Sequence, residues 1–278
     1  MPHQLTTAPE LGVIGNISRD LAVYPSGRSV GLLGGAALHV SLAAARRGLS
    51  AAPVAVIGTD LAWITGDARL SGLNMSTVKV VPGESAVFRL TYDDADRVTG
   101  TGASFGAAEA LTGHALSALG ARSYHSWHVC CRRPLSAPLI LSRLAETGAP
   151  FSADFHVASA TEIVPSVATT LPRASAVFVN AEEYTVLSRS TDPGGLPLVV
   201  VSDGPRVAVV LRYGQVTARA TPPSVAVAEV TGAGDALAGT FLAAAARGAS
   251  DDDALRTAVA AAAAAVAGPG LALCPEGR

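Results

Sequence analysis

The sequence predicts an α/β fold in one domain, with a mostly parallel central sheet flanked by helices and a small β layer added to it. Two observations carry this prediction. Buried-strand and helix patterns alternate in both halves of the 278-residue chain, and a stretch of short, partly alternating strands interrupts them. No internal repeat and no linker rich in Pro or Ser divides residues 1–278 into separate parts.

The first strand–helix–strand unit occupies the first sixty residues. Leu11–Ile17 (LGVIGNI) is a short apolar run that reaches Gly and Asn, as buried strands do. Gly35–Arg47 predicts a helix that starts at a Gly pair and stops at Gly48. Ala52–Ile57 returns as a second buried strand. Units of this kind build parallel sheets.

The middle of the chain has a different pattern. Thr77–Val81 and Ala86–Tyr92 are short segments separated by a Pro-Gly pair, which predicts an antiparallel hairpin laid over the main sheet. Leu21–Leu33 could supply partner strands. We therefore expect a small β layer drawn from about residues 18–33 and 76–100.

Strand and helix alternation resumes near Ala107. The clearest strand ends are Val177–Asn180 and Leu198–Ser202, and the clearest helices are Asp235–Arg247 and Asp251–Ala267. These elements extend the predicted parallel sheet to the end of the chain.

Composition excludes several classes of protein. Hydrophobic residues make up 49% and charged residues 15%, which is far from a disordered chain. The net charge of −2 argues against a nucleic-acid partner, and the longest apolar stretch is too short to span a membrane. An odd number of cysteines, Cys130, Cys131 and Cys274, favours neither a disulfide framework nor a metal site. With no secretion signal visible, we expect a cytoplasmic protein.

Three common motifs are missing or misplaced. The only lysine, Lys79, lies in STVKVV, so no P-loop is present. No G-x-S-x-G supports a hydrolase. Gly100–Gly106 (GTGASFG) looks like a dinucleotide-binding loop, but it follows the predicted hairpin and Phe105 crowds its third Gly position.

The segment Thr231–Asp235 (TGAGD) predicts an anion site. It follows an extended stretch and opens a long apolar helix, so backbone N–H groups and the helix dipole converge on one spot. A carboxylate in the first turn, Asp235, then lies where it could take a proton from a hydroxyl that attacks a bound phosphate. The simpler interpretation is a Gly turn with Asp235 as an ordinary helix-terminal residue.

Six segments in order resemble the ribokinase-like (PfkB) carbohydrate kinase family. The strongest is Glu229–Phe241 (EVTGAGDALAGTF), which is similar to the family's C-terminal motif. GNISRD at 15–20 resembles the end of the family's first strand, GG at 34–35 its Gly pair, and VIGTD at 56–60 its G-x-D turn. NAEE at 180–183 resembles its N-x-x-E motif, and SDG at 202–204 its T-x-G turn.

The resemblance implies a three-layer fold with a β lid, and it implies ATP and Mg²⁺ as cofactors, with room for a monovalent cation. Asp235 would be the general base, with Gly232, Ala233 and Gly234 as an anion hole. The nucleotide side would comprise Asn180, Glu183, Ser202, Gly204 and Thr231, with Glu183 holding Mg²⁺ through water. The substrate side would comprise Asp20, Gly34, Gly35, His39, Ala103, His128 and His156.

The chain departs from the family pattern at four positions. His39 and His156 stand where the family commonly has Asn, Glu229 replaces the Asp before T-G-A-G-D, and Val207 replaces a Gly of the nucleotide turn. The two histidines indicate altered substrate or phosphate chemistry, although packing explains His39 equally well.

Tyr124–Arg133 (YHSWHVCCRR) gathers residues able to bind a ligand. Adjacent cysteines do not have metal-ligand spacing. We interpret the segment as a strand end near the substrate cleft, with His128 and either Arg132 or Arg133 as candidate contacts; a surface or core position is the alternative.

These patterns predict an ATP-dependent kinase that phosphorylates a hydroxyl of a sugar or similar polyol. The alternatives are a nucleoside kinase, with Phe88, Phe105 and Trp127 as candidate base contacts, an inositol-type kinase, or a kinase of a sugar phosphate. A non-catalytic binding protein on the same fold is a further alternative, which the four departures motivate. The resemblance also leaves a homodimer formed through the lid open.

Overall fold

The structure is a computed structural model that describes residues 11–27, 29–93, 98–121, 124–226 and 232–273. Thr231, a predicted nucleotide contact, and Glu229 lie outside these residues. Within the described part of the chain, no helix is long and apolar enough to cross a membrane.

A nine-stranded sheet forms the centre of the molecule. Its strands from β11 to β5 run parallel in the order β11-β10-β9-β8-β1-β4-β5, and β12 and β13 extend it antiparallel beyond β11. The strands are β1 Leu11–Ile14, β4 Ala51–Gly58, β5 Val78–Val81, β8 Ser126–Cys131, β9 Phe151–Phe155, β10 Ala176–Asn180, β11 Val199–Ser202, β12 Ala208–Arg212 and β13 Gln215–Ala220.

In the described ranges, seven α-helices cover the two faces of this sheet. They are α1 Ala36–Arg46, α2 Leu111–Ala121, α3 Ala137–Thr147, α4 Val157–Val167, α5 Ala181–Ser190, α6 Ala233–Ala246 and α7 Asp251–Ala267. Apolar side chains of α2, α3, α4 and α5 form one buried cluster with the sheet, and those of α1, α6 and α7 form another. The predicted mostly parallel sheet flanked by helices is therefore confirmed.

Four further strands form a separate sheet, called the small sheet below. They are β2 Ser18–Val23, β3 Ser29–Gly34, β6 Ala86–Tyr92 and β7 Val98–Ser104, in the order β3-β2-β6-β7. The β2–β3 and β6–β7 pairs are antiparallel, but β2 and β6 run parallel. The sheet is mixed rather than purely antiparallel.

The prediction for Thr77–Val81 is wrong in one respect. Val78–Val81 is β5, which pairs in parallel with β4 of the central sheet and has no place in the small sheet. The physical reason is burial: Val78 is 8% exposed and packs in an apolar cluster with Ala55 and Ile57 of β4. The small layer therefore begins near residue 86 in this part of the chain and reaches Ser104.

The strand order of the central sheet reverses between β1 and β8. From β1 the chain proceeds outward to β4 and β5, and from β8 it proceeds in the other direction to β11. In open α/β sheets, ligands bind outside the carboxyl ends of the strands at such a reversal. We therefore expect ligand-binding residues directly after β1, β8, β9, β10 and β11.

Candidate active site

Among the described residues, the N-terminus of α6 has backbone donors without a partner. Gly232 adopts a left-handed conformation (φ 82°), and no side chain caps the helix. Helical bonding begins with the N–H of Ala236, which donates to the carbonyl of Gly232 at 2.8 Å. The amides of residues 233–235 therefore have no partner within the helix. A Cβ built on Gly234 would meet nothing within 4 Å, so the described residues leave the space beside its Cα open.

Asp235 lies in the first turn of α6 and is 7% exposed. Its Oδ1 atom accepts a hydrogen bond of 3.3 Å from Nη2 of Arg132, the residue that follows β8. A carboxylate, a guanidinium and the free amides of a helix terminus thus meet at one point.

Arg132 has a second carboxylate partner. The same Nη2 donates to Oδ2 of Asp154, near the end of β9, at 2.7 Å. Burial acts to lower the pKa of Arg132, but the charges of Asp154 and Asp235 outweigh it and raise that pKa. For Asp154, burial acts to raise the pKa, but the Arg132 charge, the interaction with His128 and the hydrogen bond from Arg132 together outweigh it and lower the pKa, so the carboxylate form is retained.

His128 lies behind this ion pair in the core. It is fully buried, with Nδ1 2.8 Å from Oγ of Ser152 and Nε2 3.9 Å from Oδ2 of Asp154. Ligand atoms of His128, Cys130 and Asp154 lie within 4.8 Å of one another, a spacing that could suit a metal ion. The Arg132 guanidinium already supplies the positive charge at this place, and a second buried cation would be repelled.

The carboxyl ends of β10 and β11 lie side by side. Asn180 and Ser202 are paired residues of these two strands. Asn180 caps α5 through a reciprocal pair of bonds: its Oδ1 accepts from the Glu183 N–H at 2.8 Å, and its own N–H donates to Oε2 of Glu183 at 2.9 Å. Burial raises the pKa of Glu183, which is 5% exposed. Gly204, two residues beyond β11, has φ 55° and is exposed.

A further carboxylate, Asp20 of β2, lies where the small sheet meets the central one. Ser18 Oγ donates to its Oδ1 at 2.8 Å. A Cβ on Gly34 would lie 2.1 Å from Oδ2 of Asp20, and one on Gly35 (φ 104°) would lie 2.3 Å from the carbonyl oxygen of Asn16. The Gly pair therefore leaves room for the Asp20 carboxylate and for the backbone that follows β1.

Two histidines flank Asp235. The ring of His39 in α1 lies 3.2 Å from the position of a Cβ on Gly232, so it packs against the start of α6. Burial lowers the pKa of His39, and the charge of Asp235 opposes this effect. His156 lies between β9 and α4, and its side chain makes no capping bond to that helix; partial desolvation and the Arg132 charge lower its pKa.

The small sheet is fixed to the central sheet by Asp60. Its Oδ2 accepts from Nη1 of Arg19 in β2 at 2.9 Å, and its Oδ1 accepts from the hydroxyl and N–H of Ser85, just before β6. The bonds from Ser85 and Arg19 lower the pKa of Asp60 although its partial burial acts to raise it. The predicted G-x-D turn thus anchors two strands of the small sheet.

Comparison with known proteins decides the family. Residues 13–277 match the pfkB family carbohydrate kinase. The chain belongs to this family. A cytidine kinase of Thermococcus kodakarensis is 28% identical over 263 residues, which cover 89% of this chain and 92% of that protein.

Solved structures share the fold. The nucleoside kinase of Burkholderia thailandensis in complex with inosine has a TM-score of 0.77 at 20% identity, covering 94% of this chain and 92% of that one. The adenosine kinase of Sinorhizobium meliloti has a TM-score of 0.79 at 16% identity, covering 96% and 97%. The predicted ribokinase-like fold is confirmed.

The family establishes the reaction class of this pfkB-family kinase. It is an ATP-dependent phosphotransferase that acts on a hydroxyl of a sugar or sugar-like molecule. The alternative of a non-catalytic binding protein on the same fold is therefore wrong.

The structure brings most predicted site residues to one edge of the central sheet. Asp235 bonds to Arg132, the charges of both act on His39 and His156, and Asn180, Glu183 and Ser202 lie at the neighbouring strand ends. His128 differs: it is fully buried and faces Asp154 and Ser152, so it does not reach the cleft as a substrate contact. Arg133 pairs with exposed Glu162 at the surface.

Sequence reasoning gave no role to Asp154 or Asn16. Asn16 is buried, its amide nitrogen donates to the Arg133 carbonyl at 3.0 Å, and its Oδ1 has no partner among the described residues. A polar residue at the end of an apolar strand, as in LGVIGN and FSADF, is the signal that could have identified both.

Proposed function

We propose that this kinase transfers the γ-phosphoryl group of ATP to a hydroxyl of a small sugar-like acceptor, with Asp235 as the general base. The observation that carries the proposal is the position of the Asp235 carboxylate beside the free amides of residues 233–235. The amides stabilise charge on the transferring group, and Asp235 takes the acceptor proton.

The nucleotide side is assigned to the ends of β10 and β11. Gly204 leaves space beside the nucleotide, Ser202 is a neighbouring contact, and Thr231 stays a predicted contact. Oxygen donors suit Mg²⁺, and Glu183 keeps one carboxylate oxygen beyond the cap for a water-mediated contact. When bound, Mg²⁺ neutralises charge on the phosphates. The monovalent cation implied by the family stays a prediction.

The acceptor side is assigned to the small sheet, as a lid. Asp20, Phe88 and Ala103 are paired residues of β2, β6 and β7, so their side chains share one face of this sheet. The Asp20 carboxylate accepts hydrogen bonds from hydroxyl groups of the phosphate acceptor, and Gly34 and Gly35 leave room for these groups. Closure of the small sheet over the acceptor excludes water.

A nucleoside is the second candidate acceptor. Phe88 lies beside Asp20 on the same face and forms an edge-to-face pair with Phe105, with ring centroids 6.3 Å apart. An aromatic surface next to a hydroxyl-binding carboxylate suits a base joined to a ribose. The relatedness to a cytidine kinase supports this candidate.

A homodimer through the small sheet would use β7. Within the described residues no strand pairs with its outer edge, and residues 102–104 are exposed. An open strand edge is a ready site for pairing with a second chain.

The test is an ADP-release screen over pentoses, hexoses, sugar phosphates, inositols and nucleosides, with wild type and Asp235→Asn in parallel. We expect one acceptor class to stimulate ADP release in wild type and the variant to lose about 10²- to 10⁴-fold in kcat while it still binds ATP.

The matched control is Asp253→Asn, which alters an exposed carboxylate in the first turn of α7 and should keep full turnover. Retention of most activity by Asp235→Asn would remove it as the base. Stimulation by nucleosides alone would select the second candidate.

A further inference from the structure

The geometry points to Arg132 as a further catalytic residue, whose guanidinium contacts the phosphoryl group in transfer while Asp154 acts as its fixed counter-ion. The inference rests on the proposed role of Asp235, and it adds a positive charge from a strand end that none of the recognised motifs includes.

The position of Arg132 follows from its distance to the base. Its Nη2 is 3.3 Å from Oδ1 of Asp235. A general base must lie within about 3 Å of the hydroxyl oxygen whose proton it takes. The attacking oxygen therefore lies within roughly 6 Å of the guanidinium, and the phosphorus it attacks is adjacent. The side chain is 19% exposed, so part of it is accessible to an incoming group.

The guanidinium retains donors for an incoming group. Nη2 serves both carboxylates and Nε is buried, but no described residue accepts a hydrogen bond from Nη1. Arginine presents five N–H donors in a planar fork that matches phosphate oxygens, and a positively charged arginine at a transferring phosphoryl group gives large rate effects.

Asp154 balances the positive charge of Arg132 while the base, Asp235, gains a proton. During transfer, the bond from the acceptor oxygen to phosphorus forms and the bond from phosphorus to the ADP oxygen breaks, with its electron pair leaving on ADP. The acceptor proton goes to Asp235, whose negative charge is lost. Asp154, closer at 2.7 Å, then still neutralises the buried guanidinium.

The surroundings favour the phosphoryl group over the acceptor as the partner of Arg132. Its two partners are Asp154 near the end of β9 and Asp235 in the first turn of α6. Both are on the strand-end side of the cleft with the free amides of α6, whereas Asp20 and Phe88 belong to the small sheet.

The test compares Arg132→Gln and Arg132→Lys with wild type. Steady-state kinetics give kcat and both KM values, and calorimetry gives the affinity for ADP with and without aluminium fluoride, a mimic of the phosphoryl group in transfer. For Arg132→Gln we expect kcat to fall about 10³-fold, with KM values within about threefold and ADP affinity unchanged. The gain in ADP affinity from aluminium fluoride should disappear. Arg132→Lys keeps the charge and should recover part of both quantities.

The control is Arg143→Gln, which removes an exposed arginine that lies at the same 3.3 Å from its carboxylate partner Glu146. It should leave all these quantities unchanged. A rise of more than tenfold in acceptor KM, with kcat and the aluminium fluoride effect intact in either Arg132 variant, would overturn the inference. Because Asp235→Asn tests the base separately, its failure is distinguishable from a failure of Arg132.

Discussion

At the scale of single residues, Gly34 decides where the Asp20 carboxylate can lie. The two residues are on paired strands, and the carboxylate occupies the space that a side chain at position 34 would fill. Gly35 is required for a different reason, because its φ of 104° disfavours any other residue at the start of α1.

We predict that Gly34→Ala weakens acceptor binding and leaves the fold intact. The added methyl would displace the Asp20 carboxylate, so the acceptor would lose a charge-assisted hydrogen bond. We expect its KM to rise about 10- to 100-fold with the KM for ATP unchanged, as initial-rate kinetics would measure.

The matched control is Gly113→Ala in α2, where a Cβ meets nothing within 4 Å. It should keep both KM values and stabilise the protein by about 0.5–1 kcal/mol. An unchanged acceptor KM in Gly34→Ala would show that Asp20 does not bind the acceptor.

Single residues also show which parts of the site the sequence could predict. The Gly-Ala-Gly turn before an apolar helix predicts free amides and a first-turn carboxylate at Asp235, since both depend on local backbone geometry. The Arg132–Asp154 pair could not be predicted, because it depends on the register that places Cys130 of β8 opposite Asp154 of β9.

At the scale of elements, the start of α5 combines a structural role with a proposed chemical one. Asn180 and Glu183 form a capping box, which satisfies two backbone N–H groups. The raised pKa of Glu183 means that its ionised form costs folding free energy at neutral pH. A charge retained at such a cost is consistent with a role in binding a cation.

We predict that Glu183→Gln separates these roles. Glutamine can accept the same hydrogen bond from the Asn180 N–H and removes the buried charge, so the free energy of unfolding should stay within about 0.5 kcal/mol of wild type or rise. The Mg²⁺ concentration for half-maximal activity should increase about tenfold, as a Mg²⁺ titration at fixed ATP would measure.

Glu182→Gln is the control, because Glu182 is the exposed neighbour in the same turn. It should alter neither quantity. If Glu183→Gln left the Mg²⁺ requirement unchanged, Glu183 would be a helix cap alone.

Elements also differ in how well the sequence predicts them. The helices α1, α6 and α7 lie within two residues of their predicted bounds, because Gly residues and apolar periodicity mark their ends locally. The strand β5 was assigned to the wrong sheet, because VKVV fits either sheet and only its tertiary partner, β4, decides between them.

At the scale of the whole molecule, the end of the chain joins the small sheet to the helical layer. After α7, residues 271–273 run antiparallel to β3: the Leu33 N–H donates to the Leu271 carbonyl at 2.7 Å, and the Leu273 N–H donates to the Gly31 carbonyl at 3.0 Å. Arg69 donates to the Ala272 carbonyl at 2.9 Å. This segment covers the outer edge of β3, which a sheet otherwise leaves open for pairing.

We predict that removal of this segment loosens the small sheet and weakens acceptor binding. Two chains are compared, one ending at Leu273 and one ending at Gly268. The shorter chain loses the backbone bonds to β3 and the packing of Leu271 and Leu273 in the apolar cluster beneath it. Its melting temperature should fall by several degrees, since a loss of 1 kcal/mol corresponds to about 2–4 °C in chains of this size.

The acceptor KM of the shorter chain should rise with the KM for ATP unchanged, because β10 and β11 are untouched. Gel filtration should detect self-association through the exposed β3 edge. Equal melting temperatures and equal acceptor KM values for the two chains would contradict the coupling between the end of the chain and the small sheet.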